Sequence, residues 1–294
     1  MVQGGVRTLP NALAFSPVLR GVFTALIEEL QTVRRREREQ GAVLERLQAQ
    51  VQQAAELQRE LLPTHLPRIN GLEVRTLYRP AETVSGDLYD VVRLDERRVA
   101  FTLADATGHG LPAGMLSSMT HRFLTIEDRE RLTAIRPDVV LAAANRELLA
   151  LCLSDCQFVG ALFAIYDEMT RVITFARAGL PYPILVRRGQ AARELRCAGP
   201  ALGMIENPTF ETLTVELQPG DRLIFRTDGV DELLLEDHGR PKAGDLEQTD
   251  WFTNLGQIDL DGHLHELDNR LAQARSAKRD LDDLTVVTIE SLAA

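Results

Sequence analysis

From Phe23 to Leu61 the chain steps by three and four residues without a slip: Phe23, Leu26, Leu30, Val33, Glu37, Gln40, Leu44, Leu47, Val51, Ala54, Gln58 and Leu61. Nine of these twelve positions are apolar, and no proline falls between Pro17 and Pro63. An alternating three-four step keeps one seam of a helix turned towards a partner. The pattern predicts a helix over 17–61, roughly 65 Å long at 1.5 Å per residue. A lone helix of that length gains little from packing, so the heptad predicts a coiled-coil homodimer, with docking on a regulatory sensor partner as a second use of the seam. A long helix lying on its own domain is the alternative. Glu37, Gln40 and Gln58 weaken the seam and set its register, and Gly41 beside them costs about 1 kcal/mol relative to Ala. The charged run 34–39 reads as a solvated face.

Pro63, Pro67, Asn70 and Gly71 stop the helix. This divides the chain into an N-terminal segment with its coiled-coil linker, 1–62, and a domain, 63–294. Beyond the break the texture turns strand-like: Leu72, Val74, Thr76 and Tyr78 alternate, as do Val99, Phe101 and Leu103. Helices are expected from near Pro112, over 137–153 and near 264–274. Strands are expected over 158–166, 172–178, 183–186, 222–226 and 284–289, with a polar loop beginning at 235. Of 294 residues, 45% are hydrophobic, enough for one core of about 200–250 residues plus an appendage. The 16 residues ahead of Pro17 cannot bury a core, so the coil itself is the expected receiver of any signal. A net charge of −10 argues against nucleic acid as a partner. Cys152, Cys156 and Cys197 show neither disulfide framework nor zinc spacing; the first two, four apart in an apolar stretch, read as buried thiols. No signal peptide and no apolar run of about 18 residues is present, which predicts a cytoplasmic protein without a membrane partner.

Four segments set aspartate against glycine or at a strand end: Ser85-Gly86-Asp87-Leu88-Tyr89-Asp90, Ala104-Asp105-Ala106-Thr107-Gly108-His109-Gly110, Arg226-Thr227-Asp228-Gly229-Val230, and Asp280-Leu281-Asp282-Asp283-Leu284-Thr285. Strand ends present polar side chains at an open edge, and neighbouring glycines let backbone carbonyls approach an ion. Carboxylates brought together repel one another. Hard divalent cations that prefer oxygen, Mg²⁺ or Mn²⁺ rather than zinc, relieve that repulsion. Taken singly, each segment is an ordinary turn.

As a set, in this order, they resemble the metal-dependent (PPM, type 2C) protein phosphatases, specifically the bacterial SpoIIE/RsbU branch. That branch carries Gly-Asp-aromatic-Tyr-Asp, Asp-Val-x-Gly-His-Gly, Tyr-Thr-Asp-Gly-Val and Asp-Asp-x-Thr stretches, and the similarity covers roughly 57–289. The resemblance implies an α+β fold, an αββα sandwich of two stacked, mainly antiparallel sheets flanked by helices. It implies two Mn²⁺ or Mg²⁺ ions held by Asp87, Asp105, the carbonyl of Ala106, Asp228 and Asp282. Gly86, Asp90 and Asp283 are candidates to support those ligands from behind.

The chemistry implied is dephosphorylation of a small phosphoprotein, of the anti-anti-sigma STAS type, by metal-activated water. Asp87 and Asp105 act with the metals, and His109 is the candidate to protonate the leaving alkoxide; its alternative role is a turn histidine bonded to backbone. The other histidines read as surface or packing residues. Departures from the family pattern are Leu180 in Ala178-Gly179-Leu180-Pro181, where a histidine is usual, Ala106-Thr107 for Val-Ser, and Asp231 for a threonine. The alternative function is a catalytically weak or inactive module that binds a partner. A nucleotide cyclase also uses a coil and paired aspartates, but this chain lacks the phosphate-cradling glycine loop.

Overall fold

The computed structural model describes residues 17–125, 135–153, 157–235 and 246–293. One long helix, α1 (Pro17–Glu60), opens the chain, which divides into two compact units, Met1–Gln50 and Val51–Ala294. In the first unit the apolar seam is exposed: Phe23, Leu26, Leu30 and Leu47 each leave just over half of their surface open. In the second, the last turns of the same helix are partly buried, at Ala55 and Gln58. This corrects the reading of Gln58 as a polar seam position. Its amide donates to the carbonyls of Ser85 (2.6 Å) and Gly114 (3.3 Å) and accepts from the Ser85 N–H (3.0 Å). An amide carries both donors and an acceptor, so it satisfies backbone that a leucine here would leave bare.

Two five-stranded antiparallel sheets follow. One has the order β1 (Leu72–Arg79), β10 (Leu284–Ser291), β9 (Arg222–Arg226), β6 (Ile184–Val186), β7 (Arg193–Glu194). The other runs β2 (Asp87–Arg93), β3 (Arg98–Ala106), β4 (Val159–Asp167), β5 (Val172–Ala178), β8 (Thr212–Glu216). Strand β3 shows why the layers stack: Val99, Phe101 and Leu103 enter a core shared with Phe175, Phe225 and Val287 of both sheets. Its alternate residues Ala100, Ala104 and Ala106 face helices α2 (Gly110–Leu124) and α3 (Pro137–Ala150). Large side chains fill the space between sheets, and alanines let the helices lie close. On the far side α4 (Asp228–Leu234), α5 (Asp250–Asn254) and α6 (Leu260–Ser276) cover the first sheet through Trp251, Leu264, Leu267 and Ile224. The architecture is the expected αββα sandwich.

Two local expectations change. Helix α3 stops at Ala150 rather than 153, so Cys152 lies past its end, exposed and with φ +49°. Cys197 is buried, and Cys156 and most of the polar loop, 236–245, lie outside the described residues. Strand β9 covers 222–226 as expected, and Asp228 beyond it begins α4, because extended Thr227 turns the chain from the strand into the helix.

Candidate metal centre

Strands β2 and β3 are register partners, and their pairing sets Asp87 opposite Asp105. Strand β10 pairs with β9, bringing the start of β10 beside the turn into α4. Here Thr227 and Thr285 both donate their hydroxyls to Oδ2 of Asp87, at 2.7 and 2.6 Å. Thr227 Oγ1 accepts from the Thr285 N–H at 3.0 Å, which ties the two threonines together. The other Asp87 oxygen, Oδ1, is buried and has no hydrogen-bond partner within the protein.

Asp283 braces the same loop from behind. Its two oxygens accept the N–H groups of Ala81 (2.7 Å) and Gly86 (2.6 Å). Gly86 is required by close approach: a Cβ there would stand 2.9 Å from the Ala106 carbonyl oxygen. Gly229 is under a tighter constraint, since its Cβ would lie 2.0 Å from the Asp283 carbonyl oxygen.

The electrostatics follow from this crowding. Burial pushes the Asp87 carboxyl well above the usual range; the threonine hydroxyls oppose that shift, and the Asp283 charge adds to it. Burial does the same to Asp105, reinforced by the charges of Asp87 and Asp228. Asp228 is raised as well, by burial first and then by the charges of Asp231 and Glu232. Asp282, exposed at the rim, is pushed up to about 6 by desolvation of its carboxyl together with the charges of Asp228, Asp283 and Glu232. Asp105, Asp228, Asp282 and Ala106 line one cleft of about 570 Å³.

Among the described residues no three acid, histidine or cysteine side chains stand gathered as a ready set for an ion. Asp87 instead faces Asp105 across the strands, and Asp105 shares its cleft with Asp228. The donors nonetheless suit a hard cation. They are all oxygens, they raise one another's proton affinity, and one of them, Asp87 Oδ1, is buried bare, a condition costly for a carboxylate.

Two sequence candidates behave differently from the rest. Asp90 does not join the acids. It lies on the helix-facing side of β2, where Oδ2 meets His121 Nε2 of α2 at 3.0 Å and Oδ1 accepts the Val91 N–H. Strand alternation explains this, since residues three apart point to opposite faces. His109 precedes α2 and is not bonded to backbone as a turn histidine: its Nδ1 lies 2.7 Å from Glu82 Oε1. Of the remaining histidines, His263 is fully buried against Thr288.

Sequence reasoning passed over Thr227, Thr285, Glu82 and Glu232, whose Oε2 accepts the Asp282 N–H at 3.0 Å. Both threonines stood inside the motif stretches; Glu82 carried no local signal.

Two of the departures, Leu180 and Asp231, stand in the cleft wall. Leu180 is buried, its Cδ2 2.9 Å from where a Cβ on Gly160 would stand. Arg177 donates to the carbonyls of Leu180 and Cys197 and lies 4.5 Å over the Tyr182 ring. Arg226, fully buried, pairs with Asp231 (2.6 Å) and Glu194 (2.7 Å) and donates to the Tyr182 carbonyl. Asp231 is therefore the counter-charge of a buried guanidinium.

The sequence profile described as Stage II sporulation protein E (SpoIIE) matches residues 95–291. Phosphoserine phosphatase RsbU of Bacillus subtilis (strain 168) is 27% identical over 224 residues, covering 76% of this chain and 62% of RsbU. Phosphoserine phosphatase RsbP of the same strain is 24% identical, covering 62% of this chain and 47% of RsbP. The chain thus spans less than two thirds of the length of these relatives. Among solved structures, the SiaA-PP2C domain of Pseudomonas aeruginosa superposes with a TM-score of 0.69 at 19% identity, covering 85% of this chain and 98% of that one. RsbX in complex with magnesium superposes at 0.54 and 16% identity, covering 77% and 98%. These likenesses show the fold, and among the described residues no helix is long and apolar enough to cross a membrane. With the fold in place and the matched segment running from before β3 to the end of β10, the chain belongs to the SpoIIE family.

Proposed function

We propose that the chain is a metal-dependent protein serine/threonine phosphatase acting on a small phosphoprotein of the STAS kind. The observation that carries this reading is the Asp87 carboxylate. One oxygen is fixed by two threonine hydroxyls, and the other is buried and bare among acids that raise one another's proton affinity. Two Mn²⁺ or Mg²⁺ ions held by Asp87, Asp105, Asp228, Asp282 and the Ala106 carbonyl would offset those charges and supply an activated water.

The chain's own residues do the rest. Thr227 and Thr285 fix the rotamer of Asp87, and Asp283 and Gly86 keep the Ala106 carbonyl at the centre. His109 gives its proton to the seryl or threonyl oxygen as that oxygen leaves. Arg177 and Arg226 spend their donors within the protein, so the cations, rather than a guanidinium of this wall, would take the phosphoryl charge. The exposed seam of α1 between residues 21 and 50 supports pairing with a second copy or a sensor helix.

The test is Mn²⁺-dependent hydrolysis of p-nitrophenyl phosphate and of a phosphorylated STAS protein, wild type against Asp105→Ala. Turnover by the wild type alone is expected. A second reading, a partner-binding module, is favoured by Leu180, which stands buried where the family pattern has a histidine. Binding of the phosphoprotein with no metal-dependent turnover would establish it instead.

A further inference from the structure

His109 stands between two glycines with positive φ, Gly108 at +92° and Gly110 at +70°. A side chain on such a loop has no helix or strand to hold it, and its own residue, although it precedes α2, makes no side-chain capping bond. What holds the ring is Glu82, 27 residues earlier, with Oε1 at 2.7 Å from Nδ1. The second oxygen of Glu82 lies over Gly110, 2.9 Å from where a Cβ would be. The carboxylate therefore spans the loop, one oxygen on the imidazole and one against the following residue. The base of Glu82 is itself anchored, since the N–H of neighbouring Ala81 is fixed on Asp283 and Ser85 is bonded to Gln58.

We infer that Glu82 is the positioning residue for the proton donor: it holds His109 with Nδ1–H directed at the carboxylate, leaving Nε2 to deliver the proton to the leaving oxygen. This rests on the phosphatase reading. A carboxylate on one ring nitrogen selects the tautomer and orientation of the ring. In the step, a water oxygen bonds to phosphorus and loses one proton to solvent. The bond from phosphorus to the seryl or threonyl oxygen breaks with its electron pair on that oxygen. Nε2–H of the imidazolium passes to the same oxygen, giving neutral alcohol, inorganic phosphate and neutral imidazole, which solvent recharges. Side-chain exposures of 82% for His109 and 52% for Glu82 make a stabilising role insufficient, because ion pairs this open contribute little to folding.

The leaving group separates this role from a structural one. A seryl alkoxide needs the proton, whereas nitrophenolate departs without it. For Glu82→Ala the ratio of kcat on a phosphoserine peptide to kcat on p-nitrophenyl phosphate should fall about 10- to 100-fold, part of what a general acid contributes. Glu82→Asp should recover part of that ratio, and Glu82→Ala combined with His109→Ala should be no worse than His109→Ala alone. Imidazole ¹⁵N shifts give a readout free of turnover: Nδ1–H in the wild type, and the ordinary tautomer mixture in Glu82→Ala. An unchanged ratio, equal losses on both substrates, or multiplicative losses in the double variant would overturn the assignment. A wild type that hydrolyses neither substrate while the ¹⁵N signature responds to Glu82→Ala would overturn the phosphatase reading instead.

Discussion

Asp87 and Asp282 belong to one candidate site and are held in opposite ways. Asp87 is 1% exposed and fixed by neutral donors, two hydroxyls on one oxygen. Asp282 is exposed: its N–H rests on another acid, Glu232, and its Oδ1 accepts the N–H of Asp283. Hydroxyl donors favour the ionised form while burial opposes it. One side of the site is thus built in advance, at the cost of a bare buried oxygen, and the other is left adjustable and able to take water. The difference assigns placement to the closed side and adaptation to the open one.

The sharpest way to break this comparison is Gly229→Ala, which drives a methyl into the Asp283 carbonyl oxygen, 2.0 Å away. Because that contact joins both sides, the variant should lose more than about 4 kcal/mol in urea denaturation; a midpoint like the wild type would mean that the two sides are not packed through it. His263 provides a reference buried group outside the site. Burial holds its pKa down, from 6.5 to about 4. Between those values the unfolded chain takes up a proton that the folded chain refuses. Stability is therefore intact above pH 6.5 and is lost as pH falls towards 4, by about 3 kcal/mol. Denaturation of His263→Gln across that range should show this part of the slope removed.

Thr285→Val then tests the closed side alone. Calorimetric Mn²⁺ affinity should fall about 10- to 100-fold, the usual cost of removing a group that orients a ligand, and Asp282→Asn should cost less. Equal losses would abolish the distinction. Gln58→Ala strips the support of Ser85 from behind and should lower stability by roughly 1–2 kcal/mol, read from the thermal midpoint.

The sandwich was legible because strand alternation and the four aspartate stretches survive in the sequence with their order intact. Phe101 and Leu103 announced their strand, and Asp105 ended up opposite Asp87 as a strand-end reading allows. Other features were illegible for physical reasons. A three-four period records that one helix face is buried but not what buries it, so Gln58 read as part of a seam although it serves the loop of Ser85. Asp90 adjoined a motif, yet adjacency says nothing about which face of a strand a residue takes. Strand β7, of two residues, is too short to have a period. The bonds of Glu82 to His109 and of Arg226 to Glu194 join remote segments, and no window along the chain contains both partners.

Strand β10 is the last strand in sequence, yet it lies inside its sheet, between β1 and β9. With it come Asp282, Asp283 and Thr285, and with them the brace on Gly86 and one of the two hydroxyls on Asp87. A nascent chain emerges from its N-terminus onward, so β1 and β9 must wait, unjoined, until residues near 290 have cleared the ribosome, whereas the β2–β3–β4–β5–β8 sheet has all its strands earlier. Premature termination anywhere before that point yields a polypeptide without the residues that complete the candidate centre, and translation itself thereby withholds it until β10 is made.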